Sequence, residues 1–314
     1  MSDAIDLHYD WIYPEHHQNR DDHHDHVILF LHGLLGNGRN LRTMAKKVCE
    51  SSQHPGLLLD IRGHGQSKMP SNSPLAASTT TFASCVRDVQ HTLQNIPQVP
   101  PDATITLVGH SLGGRISLQF AHDSMFNNTA TTTTTKNQSQ HPIHQVWLLD
   151  TVPGQANDSV ERVVSAVTKI ASQSDITSRK ELVQQLTNEP FKIDIGTAQW
   201  LASSLQPKGG NGQTLEFNFD LKVVHDLLAD FHNQSFMNLL EGVLRGKDEQ
   251  QHSIRVNLVR GGKNQGWNET NLSPLRSLES QYPNKFSMHL LANAGHWVHV
   301  DDLTGLLNIM DVSK

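Results

Sequence analysis

The stretch Leu107-Val108-Gly109-His110-Ser111-Leu112-Gly113-Gly114 constrains this chain most, because it sets one serine among glycines directly after an apolar run. Residues 103–108 (ATITLV) read as a buried strand and residues 115–121 (RISLQFA) as the start of a helix, so the serine falls on a strand-to-helix turn. A turn that tight forces its central residue into a strained backbone conformation. The flanking glycines are needed because a Cβ there would strike the neighbouring strand or helix. The hydroxyl is thereby raised and exposed. A plain glycine-rich turn with an incidental serine is the competing reading, and the strand before and helix after it weigh against that. A serine is a poor nucleophile unaided, so the rest of the chain is expected to supply a base, an orienting acid and an oxyanion site.

The surrounding sequence has the alternation such a turn requires. Apolar runs of strand length, VILFLHG (27–33), GLLLDIRG (56–63), ATITLVGH (103–110), QVWLLD (145–150), IRVNLVRGG (254–262) and FSMHLLANAG (286–295), are separated by helical patterns. That order specifies an α/β fold, a mostly parallel central sheet covered by helices on both faces. An opening strand near residues 5–13 adds an edge. Phe82, Cys85, Val86, Val89, Leu93 and Ile96 repeat at helical spacing and predict an amphipathic crossover helix over 79–96. Between 155 and 250 strand signals vanish. Val160, Val163, Val164, Val167 and Ile170 share one helix face, Ser178 with Glu181 forms a capping box, and further helices cover 196–205 and 221–231. A helical cap (155–250) is therefore expected as an insertion in a core built from 1–154 and 251–314. The low-complexity segments 15–26, with five histidines, and 127–141, rich in threonine, read as exposed loops, and the histidines imply no fixed metal-ligand geometry.

Composition narrows the partners. A formal net charge of −6 with no basic cluster argues against nucleic acid. No apolar run approaches the roughly 20 residues needed to span a bilayer, so no integral membrane association is expected. The opening MSDAIDLHYDWIYPE lacks the basic and apolar regions of a secretory signal. The two cysteines, Cys49 and Cys85, each fall on a predicted helix, which suits reduced, buried thiols. The expected location is cytoplasmic, or an organelle such as the mitochondrion if a transit peptide is missing from this chain.

The base belongs on the loop after the last strand, where a histidine reaches across the strand ends to the serine. Among 20 histidines His296, in Ala294-Gly295-His296-Trp297, holds that place and is preferred to His299. The oxyanion site needs two backbone N–H groups aimed at one point. Leu112, directly after the serine at a helix N-terminus, offers one. Leu34, in the turn Leu31-His32-Gly33-Leu34-Leu35-Gly36, offers the other.

Taken together, LHGLLG, DIRGHGQS (60–67), GHSLGG and AGHW resemble the α/β-hydrolase superfamily, over nearly the whole chain apart from the two low-complexity segments. DIRGHGQS, LLDTVPG and LEFNFDL (215–221) are similar to a small acyl-esterase subgroup that includes bacterial esterases and a mitochondrial lipid-type hydrolase. Within DIRGHGQS, Asp60, Arg62, His64 and Ser67 read as residues that fix a loop near the pocket. Most relatives carry the acid after the strand that here reads IRVNLVRGG, yet the following loop holds no aspartate, and its one carboxylate is Glu269. The resemblance to the subgroup implies that Asp150, at the end of QVWLLD, is the acid instead; its alternative role is a cap on the turn before Thr151-Val152-Pro153-Gly154. A serine nucleophile argues against dehalogenase or epoxide-hydrolase chemistry, which needs a carboxylate. The expectation is hydrolysis of an acyl ester or thioester, with no metal and no organic cofactor. C–C bond hydrolysis, peptidase activity and a non-turnover receptor retaining the triad are the alternatives.

Overall fold

Runs such as HVILFL and IHQVWLL present apolar side chains to both faces of a strand, which suits a parallel sheet buried between helical layers. The computed structural model describes residues 4–17, 22–68, 78–126, 141–154, 158–173, 175–209, 214–246 and 253–312. Its strands are β1 (Tyr9–Ile12), β2 (His26–Leu31), β3 (Gly56–Leu59), β4 (Thr104–His110), β5 (Ile143–Leu149), β6 (Leu205–Pro207), β7 (Leu215–Phe217), β8 (Arg255–Gly261) and β9 (Phe286–Leu291). Seven of them form one sheet in the order β1-β3-β2-β4-β5-β8-β9. β1 runs antiparallel to β3, and every other neighbouring pair is parallel.

The helices are α1 (Arg42–Ser52), α2 (Phe82–Gln94), α3 (Leu112–Phe126), α4 (Asp158–Gln173), α5 (Arg179–Thr187), α6 (Ile195–Ser203), α7 (Leu221–Asn233), α8 (Phe236–Arg245), α9 (Glu269–Gln281), α10 (Val298–Asp301) and α11 (Leu303–Ile309). Alternate residues of β2 separate the two faces: Val27, Leu29 and Leu31 join the cluster of α2, α3 and α8, while Ile28 and Phe30 join that of α1 and α11. All six periodic apolar residues of the 79–96 segment lie buried in the first cluster. Thr81 starts α2 through a reciprocal capping box with Ser84. Cys49 and Cys85 are free and buried, and burial pushes the Cys49 thiol up to about 12.

Between β5 and β8 the chain is mostly helical. Val164, Val167, Ile170, Leu182, Leu186 and Leu201 of α4, α5 and α6 enclose a cluster of their own, closed below by Leu35. Phe236, Leu240, Val243 and Leu244 of α8 instead join the main core, where α8 packs on α3. The sequence shows no strand signal in this region, but β6 and β7 pair there as a small antiparallel ribbon. Strands of three residues, one ending in Pro207, are too short for a period-two pattern to register. Ser178 caps α5 by accepting from the Glu181 N–H at 3.1 Å, whereas the Glu181 carboxylate takes the Thr177 hydroxyl at 2.8 Å. The histidine-rich segment is not wholly solvated: His24 is buried against the rings of Trp11 and Tyr13. Its residues 18–21, and 127–140 of the threonine-rich segment, lie outside the described residues. Among the described residues no helix is long and apolar enough to cross a membrane, and no group of three or more His, Cys, Asp or Glu is placed to hold a metal ion.

Candidate active site

β4 ends at His110 and α3 begins at Leu112, so Ser111 alone makes the turn, with φ +52°. A non-glycine residue in that region costs on the order of 1–3 kcal/mol, so the surroundings must hold it there. They do so through hydrogen bonds at both ends: the Ser111 N–H donates to Leu149 O at 2.9 Å, and its carbonyl accepts from the Gly114 and Arg115 N–H groups. The glycines are required by distance. A Cβ on Gly109 would stand 2.3 Å from the Gly113 carbonyl, and one on Gly113 would stand 2.1 Å from Leu31 O. The helix can approach the sheet this closely only without those side chains.

Asp150 follows β5 one strand over, also at positive φ (+46°), its N–H donating to Val259 O at 2.7 Å. Its carboxylate is fully buried and surrounded by donors. Oδ1 accepts from Gly261 N at 2.8 Å and from Trp267 Nε1 at 2.7 Å. Oδ2 accepts from the Asn264 side-chain amide and from His296 Nδ1, the latter at 2.7 Å. Backbone amide, indole and carboxamide N–H groups can only donate, so the carboxylate is an acceptor here and the imidazole proton sits on Nδ1. His296 Nε2 is left bare, the tautomer a general base needs. Ser111, Asp150 and His296 all border one cavity of about 1040 Å³ beside the C-terminal strand ends.

The turn after β2 abuts the elbow: a Cβ on Gly33 would lie 3.5 Å from Ser111 Cβ. Within it Leu35 N–H donates to His64 Nε2 at 3.3 Å and Gly36 N–H to Gly33 O at 3.1 Å. The N–H groups of Leu34, which lines the cavity, and of Leu112 have no acceptor among the described residues. His32 braces the turn, Nδ1 donating to Gly33 O at 2.8 Å and Nε2 accepting from Ile61 N at 2.9 Å. Burial lowers His32 to about 4 and His64 to about 3, so both are neutral struts. The rest of DIRGHGQS is structural in the same sense. Asp60 accepts from Gly38 N and Gln66 N, each at 2.8 Å, Ser67 Oγ from His8 N at 2.8 Å, and Arg62 forms a buried two-pronged pair with Asp88 at 2.6 Å.

The rival residues fall elsewhere. His299 is buried in α10, three residues beyond His296, edge-on to the His110 ring at 4.7 Å, and burial holds it near 4. Glu269 is exposed at the start of α9, paired with Arg276 at 2.8 Å. Three contributors escape a reading by motif. Asn264 and Trp267 hold Asp150 from the very loop that lacks a carboxylate, and their side-chain N–H donors are the signal available there. Arg115, four residues after the nucleophile, is buried, ties down Val152 and Gly154 through their carbonyls and lies against the faces of Phe231 and Phe236. Burial lowers it to about 10, which leaves it charged near neutrality.

A parallel sheet carrying helices on both faces, with a serine raised on the turn after its central strand, describes a hydrolase of the α/β type. The chain belongs to the α/β hydrolase fold family, whose match covers residues 26–186. It is 25% identical over 280 residues to the mouse (Mus musculus) sn-1-specific diacylglycerol lipase ABHD11, covering 88% of this chain and 76% of that protein. The Danio rerio protein of the same name is 21% identical, over 87% of this chain and 74% of its own length. Among solved structures, a marine microorganism esterase superposes with a TM-score of 0.67 at 15% identity, over 97% of this chain and 98% of that one. The thioesterase domain from the curacin biosynthetic pathway superposes with a TM-score of 0.58 at 14% identity, over 97% and 99%. These two likenesses concern the fold.

Proposed function

We propose that this protein hydrolyses carboxylic esters or thioesters of acyl groups through an acyl-enzyme on Ser111. The observation that carries the reading is the 2.7 Å bond from His296 Nδ1 to Asp150, which leaves Nε2 bare in the cavity that also holds the serine at φ +52°. His296 Nε2 takes the Ser111 proton as the oxygen attacks the acyl carbonyl, and the Leu34 and Leu112 N–H groups receive the developing oxyanion. The imidazolium, stabilised by Asp150, then protonates the departing alcohol or thiol. In the second half His296 takes a proton from water, the hydroxide attacks the acyl carbonyl, and the acid leaves as Ser111 is re-protonated. Apart from the water consumed, these steps draw on side chains and amides of the chain.

Residues 155–250 serve in this reading as a cap over a core of 1–154 and 251–314, except that α8 packs with the core against α3. Leu34, Val152, Val163, Trp200, Phe231 and Trp297 give the cavity an apolar wall suited to an acyl chain. The activity named for the similar lipase supports acyl transfer to water. The test is a stopped-flow assay of nitrophenyl esters, followed by a panel of esters and acyl-CoA thioesters of increasing chain length. A burst of nitrophenol equal to the enzyme concentration, then steady turnover, is the expected result. No burst and no turnover on any ester or thioester would remove the reading.

A further inference from the structure

His110 directly precedes the nucleophile, and the mechanism above leaves it idle, yet its ring stands where the three catalytic segments meet. It is buried at the end of β4. Its Nε2 lies 2.9 Å from the backbone carbonyl of His296, so Nε2–H donates to the residue that carries the base. Its ring centroid is 4.8 Å from that of His296 and 4.7 Å from that of His299. On the opposite edge, Nδ1 faces the turn after β2, where a Cβ on Gly33 would come within 2.9 Å of it.

We infer that His110 is a positioning residue, whose Nε2–H bond to His296 O holds the base loop at the depth that points the His296 imidazole at Ser111. The inference rests on the functional reading above. Gly295 N is tied to Asp301 Oδ2 at 2.7 Å, which anchors the loop within its own segment. The His110 bond is the described hydrogen bond that ties the His296 backbone to the strand bearing the nucleophile. The imidazole is thus fixed at two points from two strands: its Nδ1 by Asp150 after β5, and its backbone by His110 on β4. A misplacement of about 1 Å at a reacting group can cost 100-fold in rate. The ring is also suited to remain neutral. Burial lowers its pKa well below the ordinary value, and the other titratable groups facing it are His296 and His299 on the base loop and α10 and His32 on the turn after β2. A permanent cation at 110 would oppose the imidazolium that His296 becomes during turnover.

The experiment compares His110→Met, which fills the space without a donor, with His110→Gln, whose amide can reach the same carbonyl. Steady-state kinetics on a short nitrophenyl ester, the rate of Ser111 labelling by a fluorophosphonate and the thermal midpoint are measured for each, with Ser111→Ala as control. The expected result is a loss of about 30- to 100-fold in kcat and in labelling rate for His110→Met, with KM within twofold. His110→Gln should recover at least a third of the wild-type kcat, whether or not the two variants melt alike. A Met variant that labels and turns over at the wild-type rate overturns the inference alone, as does a Gln variant no faster than the Met variant. If either variant fails to fold, labelling of wild type and Ser111→Ala is joined by His110→Asn and His110→Leu, to which the same comparison applies. Absence of labelling in the wild-type protein would overturn the hydrolase reading and this inference together.

Discussion

Replacing Asp150 by asparagine tests the site through a single atom. Oδ1 receives two fixed donors, Gly261 N–H and Trp267 Nε1–H, so the oxygen of the introduced amide must stay there. Its NH2 group is then forced into the place of Oδ2, facing the Asn264 amide and His296 Nδ1. An imidazole met by a donor turns its bare nitrogen toward it and carries its proton on Nε2, where it cannot accept one from Ser111. The corresponding change in a serine protease lowers kcat about 10⁴-fold with the geometry intact. At 1.36 kcal/mol per decade this is roughly 5.4 kcal/mol of transition-state stabilisation. The NH2 group also confronts the Asn264 amide, whose oxygen is engaged by Gly266 N at 2.9 Å. One donor left unsatisfied there costs on the order of 1–3 kcal/mol of stability. Turnover of a nitrophenyl ester, read beside urea unfolding, separates the two effects. Glu269→Gln, which touches only the surface pair with Arg276, should stay within twofold of wild type. An Asp150→Asn protein within tenfold of the wild-type kcat would refute the assignment of the acid.

Three further outcomes follow from the same geometry. Ser111→Ala should abolish burst, turnover and fluorophosphonate labelling, a loss on the order of a millionfold in kcat, while the thermal midpoint barely moves; retained esterase activity would sink the assignment. Gly113→Ala, whose methyl would meet Leu31 O at 2.1 Å, should destabilise by more than about 4 kcal/mol in urea unfolding, and a normal midpoint would show that α3 does not approach the sheet so closely. Stability should also fall in mild acid, because burial lowers His32 and His299 to about 4 while the unfolded chain's histidines titrate near 6.5. Below 6.5 the unfolded state binds the extra protons, so stability is full above that pH and is lost as the pH falls toward 4. At pH 4.5 each contributes a loss on the order of 2–3 kcal/mol. Equal urea midpoints at pH 7.5 and pH 4.5 would contradict the burial of these rings.

What is legible in the sequence is what sterics and periodicity enforce. The elbow shows because Gly109 and Gly113 face backbone atoms closer than any Cβ tolerates, and α2 shows because Phe82, Cys85, Val86, Val89 and Leu93, with Ile96 just beyond its end, all enter one cluster. The turn after β2 shows through its glycines, since a Cβ on Gly33 would crowd the His110 ring and lie 3.5 Å from Ser111 Cβ. Less local relations do not show. α8 has a clear apolar face in Phe236, Leu240, Val243 and Leu244, but nothing in that pattern says whether it packs on α3 or on the helices beside it. β6 and β7 are below the length at which alternation is visible. Arg62 reads as a loop-fixing residue, but Asp88 looks like an ordinary polar residue of a helix, and only the fold makes the two a buried pair. His110 stands in the motif with no role that the motif assigns, since its partner, the His296 carbonyl, lies 186 residues away in sequence.

The proposed acid shows why a missing residue is informative only in three dimensions. β5 and β8 are neighbouring parallel strands, so moving a carboxylate from the loop after β8 to the end of β5 displaces it by about one strand spacing, roughly 4.8 Å. The loop left without its acid must then supply donors, and Asn264 and Trp267 do so. This makes the arrangement reversible in principle. Asn264 Nδ2 and His296 Nδ1 bind the same oxygen, so they lie no further apart than two hydrogen bonds laid end to end, about 5–6 Å. In the double variant Asp150→Asn/Asn264→Asp the donor and acceptor of the 150–264 contact exchange places. The carboxylate introduced at position 264 keeps the bond from Gly266 N, and its second oxygen meets the imidazole after the ring moves by up to about 2–3 Å. The double variant should therefore exceed Asp150→Asn at least tenfold in kcat on a nitrophenyl ester, while remaining below wild type. If it is no faster than the single variant, the two loop ends are not interchangeable, and Asp150 acts through a geometry that the neighbouring strand cannot reproduce.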